Sequence, residues 1–114
     1  MSPFTIINNE GILFFSPTDI IRLQGSSNYT LIFFTSKEKL VTTKVLHYYE
    51  TLLAASGFVR IHKTHLVNTH CINKIDSLGN VYLNDNNVVN IARSRRKEVI
   101  TQLKEMSIHF TVAA

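Results

Sequence analysis

The amino-acid sequence predicts a mostly β fold with two helices, an α+β arrangement. Short segments rich in β-branched and aromatic residues recur along the 114-residue chain, and Tyr29–Thr35 is the clearest of them. Turn-forming residues separate these segments at the spacing of hairpins. Two longer segments instead repeat apolar residues every three or four positions, which is typical of amphipathic helices. Strands therefore outnumber helices.

Four strands are predicted before the first helix. Proline lacks the backbone donor that a ladder needs, so Pro17 separates the first two strands. The stretch Gly25–Asn28 has turn chemistry and joins the second strand to the third. The four predicted strands are Gly11–Phe15, Asp19–Gln24, Tyr29–Thr35 and Lys39–Thr43.

The first predicted helix covers Lys44–Ala55. Ser56 and Gly57 end it, because glycine accepts the left-handed conformation that often follows a helix. The predicted apolar face consists of Val45, Leu46, Tyr49, Leu52 and Leu53.

Four more strands are predicted after this helix. The motifs Leu-Gly-Asn at 78–80 and Asn-Asp-Asn-Asn at 84–87 punctuate the last three strands, which predicts two tight hairpins. These four strands are Phe58–Ile61, Ile72–Ser77, Asn80–Leu83 and Val88–Ile91.

The second predicted helix covers Ser94–Met106. Its predicted apolar face consists of Val99, Ile100, Leu103 and Met106, and its first turn is crowded with Arg95, Arg96 and Lys97. Cations at this end oppose the helix dipole unless an anion binds there. The start of the helix is therefore a candidate phosphate site.

No internal repeat, low-complexity stretch or linker divides the sequence. Residues 1–114 are therefore expected to form a single domain, long enough to bury about two-thirds of the surface of the unfolded chain. Apolar residues alternate at Ile108, Phe110 and Val112 in the last segment, Ser107–Ala114. This segment is interpreted as an added edge strand, a partner contact or a frayed end.

Composition favours a cytoplasmic protein without membrane association. The one cysteine, Cys71, cannot form an internal disulfide, and a small buried apolar side chain is its plain interpretation. The first fifteen residues contain no basic residue, so the start of a secretory signal is missing. The longest uncharged run, Leu23–Ser36, has 14 residues, whereas a spanning helix needs roughly 20 apolar residues.

Positive charge is segregated along the chain. Two windows without acidic residues, Thr51–Ile75 and Asn86–Lys97, carry three and four basic residues, whereas the rest of the chain carries five basic and eight acidic residues. This distribution indicates an anionic partner on one side of the fold. Ordinary solvated surface charge is the alternative.

The sequence lacks the residue patterns of catalytic and cofactor sites. The four glycines stand alone, so no glycine-rich phosphate loop exists, and the carboxylates form no close pair. His70 and Cys71 are adjacent on extended chain and would point to opposite faces. His62, His65 and His70 have no evident fourth metal ligand. Neither enzyme activity nor a metal or cofactor is expected.

Three segments, DIIRLQGSSNYTLIFFT, FVRIHKTHLVNTHCINKI and VVNIARSRRKEVITQL, resemble the LytTR family of bacterial DNA-binding domains. The match covers residues 19–106, and RIHKTHLVN at 60–68 is its most specific part. The Asn28-Tyr29 pair follows the family pattern, and the turn that opens the last helix begins here with Ala92 and Arg93. The departures are His65, where an aromatic residue is usual, and Ala92, where serine is usual.

The resemblance implies an elongated, multi-sheet β-sandwich that reads double-stranded DNA with loops rather than with a recognition helix. Family members are usually output domains of two-component response regulators or related transcription factors, and they bind paired direct repeats. A receiver or sensor domain normally precedes such a domain. The 114 residues have no room for one, so a stand-alone version or an excised output module is expected. Tandem sites would let monomers bind side by side, and a dimer on DNA is the alternative.

Three loops carry the predicted DNA contacts. In the first, Ser26, Ser27 and Asn28 offer hydroxyl and amide groups for phosphates or base edges, with Tyr29 behind them. Ordinary turn chemistry explains the serines equally well.

In the second loop, His62, Lys63 and Thr64 project from an interrupted strand while Leu66 and Val67 return to the core. Lys63 is assigned to a phosphate and His62 to a phosphate or base edge. Asn68 is expected to fasten the loop internally. Arg60 is expected to be either a backbone clamp or a solvated strand residue.

The third loop supplies Arg93, Arg95, Arg96 and Lys97. The guanidinium fork of arginine matches the guanine acceptors of the major groove, a contact worth roughly 1–3 kcal/mol of base discrimination. Arg93 is assigned to base reading, and Arg95 and Lys97 to the DNA backbone. The sequence does not rank Arg93 firmly above Arg96.

A protein-interaction module is the competing class. Its exposed strands or apolar tail would pair with another chain, its arginines would meet an acidic partner, and it would have no DNA affinity. RNA binding is less favoured, because the aromatic residues occupy strand-core positions and no exposed stacking pair is evident.

Overall fold

In the part of the chain that the structure describes, three antiparallel sheets and two helices build the fold, which confirms the mostly β class. The computed structural model describes residues 3–106, and the molecule is elongated, with extents of 51 × 28 × 24 Å. The last segment, 107–114, for which an edge strand, a partner contact or a frayed end was predicted, lies outside the described residues.

A two-stranded hairpin opens the chain, with strands β1 (Phe4–Asn8) and β2 (Gly11–Phe15). The sequence pattern predicts β2, whereas β1 was not predicted. Phe4 and Ile6 are buried, whereas Ile7 is 76% exposed. Because Ile7 puts an apolar residue on the solvent face, the alternation that marks a half-buried strand is incomplete.

A five-stranded sheet forms the middle of the molecule, in the order β5-β4-β3-β7-β6. Two predicted strand starts shift: Asp19 lies in a short 3-10 turn, and Tyr29 precedes its strand. The prediction also treated the segment after Ile61 as an interruption, whereas the structure forms a tight hairpin there. The strands are β3 (Ile20–Gly25), β4 (Thr30–Phe34), β5 (Lys39–Thr42), β6 (Phe58–His62) and β7 (His65–Asn68).

A three-stranded sheet follows in the order β10-β9-β8, formed by β8 (Ile72–Ile75), β9 (Asn80–Leu83) and β10 (Val88–Asn90). It confirms the two predicted hairpins. Both turns contain a residue in the left-handed region, Gly79 at φ 81° and Asn86 at φ 68°. Glycine and asparagine tolerate this conformation best.

Helix α1 (Leu46–Leu53) continues into a single 3-10 turn and ends at Gly57, whose φ of 84° confirms the predicted left-handed cap. Its buried residues are Leu46, Tyr49 and Leu53. The assignment of Val45 and Leu52 to the buried apolar face was wrong, because these side chains are 48% and 42% exposed. Val45 has extended backbone and precedes the helix, so it does not share the helical periodicity.

Helix α2 (Arg96–Met106) begins after a 3-10 turn, Arg93–Arg95. Val99 is buried, and Ile100 and Leu103 pack partly buried against the same core. Met106 was assigned to this face wrongly, because it is 43% exposed at the last turn of the helix.

Two hydrophobic cores lie on the opposite faces of the five-stranded sheet. The hairpin β1–β2 and α1 cover one core, whereas the three-stranded sheet and α2 cover the other. Leu66 belongs to the first core and Val67 to the second. Successive strand residues point to opposite faces, so a strand covered on both sides buries consecutive apolar residues. Cys71 is buried in the second core, as predicted, and burial raises the pKa of its thiol.

Candidate nucleic-acid interface

The loop between β3 and β4 and the turn between β6 and β7 lie at the same end of the five-stranded sheet. The register pairs Gln24 with His65, and His65 with His62, so the end of β3 is level with the β6–β7 turn. The backbone N–H of Gly25 donates to the carbonyl oxygen of Thr64 at 2.8 Å. The first two predicted loops are therefore neighbours.

The start of α2 joins them through a second backbone hydrogen bond. The N–H of Ala92 donates to the carbonyl oxygen of Ile61 at 2.8 Å, one residue before the end of β6. All three predicted loops thus converge. We call this surface the loop end, and it comprises Ser26–Tyr29, His62–Thr64 and Arg93–Lys97.

In the first loop, the side chains of Ser26, Ser27 and Asn28 are exposed, and Tyr29 is 42% exposed. The N–H of Ser26 donates to the carbonyl oxygen of Tyr29 at 2.8 Å and closes the turn. A Cβ at Gly25 would lie 2.9 Å from the Cβ of Leu46, so only glycine lets α1 pack this closely behind the loop.

Arg60 holds the turn of the second loop from below. Its Nε donates to the carbonyl oxygen of His62 at 3.4 Å, and its Nη2 donates to the carbonyl oxygen of Lys63. Its Nη1 donates to Oε1 of Glu50 on α1 at 3.0 Å. Of the two roles left open by the sequence, Arg60 therefore has that of a backbone clamp. The side chain of Lys63 is exposed above this clamp.

Burial of the Glu50 carboxylate would raise its pKa, but hydrogen bonds from Arg60 and from His47 outweigh that effect and lower it. Glu50 is thus charged near neutral pH and neutralised by the clamp.

Thr64 orients the ring of His62. Its Nδ1 accepts a hydrogen bond from the backbone N–H of Thr64 at 3.1 Å and lies 3.0 Å from the Thr64 hydroxyl. When neutral, an imidazole that accepts at Nδ1 carries its proton at Nε2. The second nitrogen of His62 is therefore a donor suited to a phosphate or a base acceptor.

His65 is partly buried behind the loop end, with its ring centroid 5.4 Å from that of His62. Its Nδ1 is buried and has no hydrogen-bond partner among the described residues. Desolvation, together with the positive charges of His62 and Arg22, lowers the pKa of His65 to about 4. His65 is therefore neutral at physiological pH.

Arg22 is a buried cation for which no role was predicted from the sequence. It is 7% exposed and lies on β3, with its guanidinium 3.7 Å from the centroid of the Phe33 ring. Its Nε lies 3.7 Å from Oδ2 of Asp85 in the β9–β10 turn, so the pair links two sheets. Burial lowers the pKa of Arg22 despite this partner. A charged residue in a strand gives no local signal of such an inter-sheet contact.

In the third loop, Arg93 and Lys97 are exposed, whereas Arg95 is half-buried. Arg96 is engaged within the protein: its Nη2 donates to the carbonyl oxygen of Leu78 at 2.8 Å. This contact distinguishes Arg96, which is bonded within the protein, from the exposed Arg93. The sequence alone did not distinguish the two.

Asn68 fastens β7 internally, as predicted. It is 3% exposed, its Nδ2 donates to the carbonyl oxygen of Ile20 at 2.9 Å, and its Oδ1 accepts from the N–H of His70 at 3.0 Å.

A groove of about 470 Å³ lies between β1 and the junction of β5 with α1, and Lys44 is among the residues that line it. Among the described residues, its lining contains no carboxylate, histidine or cysteine. Within residues 3–106, no three side chains of the types that bind metals gather into one site. In the same part of the chain, no helix combines the length and apolar character needed to cross a membrane.

The chain is similar to known proteins in both sequence and fold. The sequence model of the LytTr DNA-binding domain family matches residues 10–104 of this chain. A solved structure of a LytTr DNA-binding domain from Bacillus cereus superposes with a TM-score of 0.72 at 18% sequence identity, and the match covers 91% of this chain and 97% of that chain. At this identity the likeness concerns the fold. None of the curated proteins matches the chain significantly.

Proposed function

Because the chain belongs to the LytTR family of DNA-binding domains, we propose that it is a transcription regulator of the two-component response-regulator type, which docks on double-stranded DNA with its loop end. The convergence of two cation-bearing loops and one neutral polar loop at one end of the sheet carries this proposal. A single docking surface lets several cations neutralise neighbouring phosphates together.

The side-chain environments support a division of roles. Arg93 is exposed and reads a base edge, because its guanidinium can donate two parallel hydrogen bonds to guanine. Lys63, Arg95 and Lys97 contact phosphates. Arg96 supports the loop from the protein side through its bond to Leu78.

The remaining groups of the loop end complete the contact. His62 donates from Nε2 to a phosphate or base acceptor, and Thr64 holds its ring. The exposed polar groups of Ser26, Ser27 and Asn28 serve phosphates or base edges in front of Tyr29.

The biological setting follows from this function. The target is a pair of direct repeats, bound by side-by-side monomers or by a dimer. The signal comes from a receiver or sensor domain or protein. The DNA-binding domain acts in the bacterial cytoplasm, and the mechanism requires no cofactor or catalysis.

Selection of bound duplexes from a random pool, followed by salt titration of the winning sequence, tests the proposal. If about six phosphates are neutralised, affinity should fall around a thousandfold between 50 and 200 mM salt. A pool that yields no repeated motif would argue against transcription control.

Two substitutions test the assigned roles. Lys63→Ala should weaken binding to all duplexes alike, whereas Arg93→Ala should flatten the sequence preference. Arg93→Lys keeps the charge but loses the fork, so it should also flatten the preference. Lys37→Ala is a matched control, since Lys37 lies in the β4–β5 turn at the opposite end of the sheet. Unchanged binding by both Lys63→Ala and Arg93→Ala would refute the assigned site.

A protein-interaction module is the second candidate. The outward face of the β1–β2 hairpin favours it, because Ile7, Ile12 and Phe14 are 76%, 59% and 70% exposed. Scattered exposed apolar residues are common, but a cluster on one hairpin face is typical of a contact surface. This function predicts concentration-dependent association without affinity for any duplex.

A further inference from the structure

The predicted loops lie in a row along one end of the five-stranded sheet. A further segment, the junction that follows β5, extends this row to the β5 edge of the sheet. Thr30 on β4 pairs with Gly25 on one side and with Thr42 on the other. The last residue of β5 is therefore level with the loop after β3. The chain then passes through residues 43–45 into α1, so the junction between β5 and α1 lies at the same end as the loop end.

Lys44 is the charged residue of this junction, and its backbone is firmly held. The buried Thr30 donates from Oγ1 to the carbonyl oxygen of Lys44 at 2.7 Å. Leu46, two residues later, packs against Gly25. The side chain itself is exposed, with Nζ 5.3 Å from the centroid of the Tyr48 ring. A fixed backbone thus presents an exposed ammonium group from the junction after β5, whose start is level with the first loop.

The spacing of the strands sets how far apart the cations of the row lie. Lys63 sits between β6 and β7, and Lys44 follows β5 at the opposite edge. Three to four strand spacings separate these positions, about 14–19 Å. The major groove is about 12 Å wide. Cations therefore flank the neutral polar loop Ser26–Asn28 on both sides, at a separation wide enough to reach phosphates across a groove.

We propose that Lys44 is a further DNA contact, which binds a backbone phosphate beside the stretch of duplex that the Ser26–Tyr29 loop faces. The inference rests on the proposed function of the loop end. An ammonium group is a compact point charge with three donors, which suits a phosphate better than the planar edge of a base. Lys44 therefore contributes affinity and not sequence preference.

The salt dependence of Lys44→Gln binding tests this contact on the selected duplex. One lost phosphate contact lowers the slope of log affinity against log salt by about 0.9. The affinity deficit of Lys44→Gln relative to the parent should therefore shrink about three- to fourfold between 50 and 200 mM salt. Lys44→Arg should keep the parental slope. Lys37→Gln makes the same charge change at the opposite end and should leave the slope unchanged.

The outcomes separate this inference from the proposed function. A parent protein that binds no duplex overturns both. If the parent binds and Lys44→Gln retains the parental slope, the Lys44 contact is refuted while the loop end stands. Equal slope reductions for Lys44→Gln and Lys37→Gln also refute it, because the effect then reflects net charge alone. Urea unfolding of Lys44→Gln should match that of the parent, because Thr30 binds the backbone of residue 44 and not its side chain.

Discussion

Arg60 and Glu50 join the central sheet to helix α1 directly beneath the β6–β7 turn, with Nη1 3.0 Å from Oε1. The same guanidinium donates to the carbonyl oxygens of His62 and Lys63. The turn that presents Lys63 is therefore attached to α1 as well as to its own strands. This attachment positions a turn in which the side chain of Lys63 is exposed.

Arg60→Ala should lower the free energy of unfolding by about 1–3 kcal/mol, because hydrogen bonds from a charged donor to the turn are lost. Glu50→Gln should cost less than about 1 kcal/mol, since the Glu50 side chain is 36% exposed and solvent screens the ion pair. Urea unfolding followed by circular dichroism measures both. Equal costs would show that the ion pair, and not the bonds to the carbonyls, carries the effect. Arg60→Ala should also weaken binding to all duplexes.

Asn68→Ala should lower the free energy of unfolding by about 1–3 kcal/mol, because it leaves the buried carbonyl oxygen of Ile20 without its amide partner. The same urea titration measures this change. Asn9→Ala, at an exposed position, should stay within about 0.5 kcal/mol of the parent. A cost below that limit for Asn68→Ala would contradict the structural role of its amide.

His65 should make stability depend on pH between about 4 and 6.5. Its pKa in the folded protein is about 4, below the ordinary value of 6.5, so the unfolded chain binds more protons in this interval. The neutral form thus contributes full stability above about pH 6.5, and this contribution is lost as the pH falls towards 4. Urea midpoints measured from pH 7.5 to pH 5 should decline.

His65→Phe is the matched variant for that measurement, because it removes the titrating group and also the unpartnered Nδ1. Its urea midpoint should decline less over the same interval. The limit of pH 5 keeps Asp76 out of the comparison. Hydrogen bonds from the backbone and side chain of Asn80, and from Tyr82 and Leu78, lower the pKa of Asp76 to about 2 despite desolvation. An identical decline in both proteins would assign the pH dependence to another group.

Gly79→Ala should lower the free energy of unfolding by more than about 1 kcal/mol. Gly79 has a φ of 81°, and an added Cβ would lie 2.8 Å from Nε and Nη2 of Arg96. The substitution therefore strains the backbone and displaces the guanidinium from Leu78. In an Arg96→Ala background the strain remains but the clash does not, so the cost of Gly79→Ala should be smaller. Additive costs would show that the two residues are not coupled.

Local pattern accounted for most of the elements. The period-two segments became strands, and the turn residues at Gly79 and Asn86 adopted the expected left-handed backbone. The errors fall where the local pattern is ambiguous. The exposed Ile7 breaks the apolar–polar alternation of β1, so this strand was not predicted. Val45 and Leu52 were wrongly assigned to the buried face of α1, because the sequence does not distinguish an exposed apolar residue from a core residue. Periodicity alone cannot separate the two.

The candidate interface was predictable only in part. Its three loops were predicted from the family resemblance together with the cations and hydroxyl groups that interrupt apolar segments, groups that are costly to bury in a core. Lys44 and Arg22 carried no such signal, since one basic residue beside a strand or within it is common. Their positions depend on partners at Thr30 and Asp85, which are distant in sequence.

The sequence by itself determined the class of the fold, because composition and periodicity can be read within short windows. Together with the family resemblance it also predicted the three basic or polar loops and the fastening role of Asn68. Only the tertiary structure decided that Gly25 meets Thr64, that Ala92 meets Ile61, and that Arg96 faces the protein. Strand register and sheet order are long-range properties, set by how two cores pack on the faces of one sheet. That packing is what brings residues far apart in sequence into a single row.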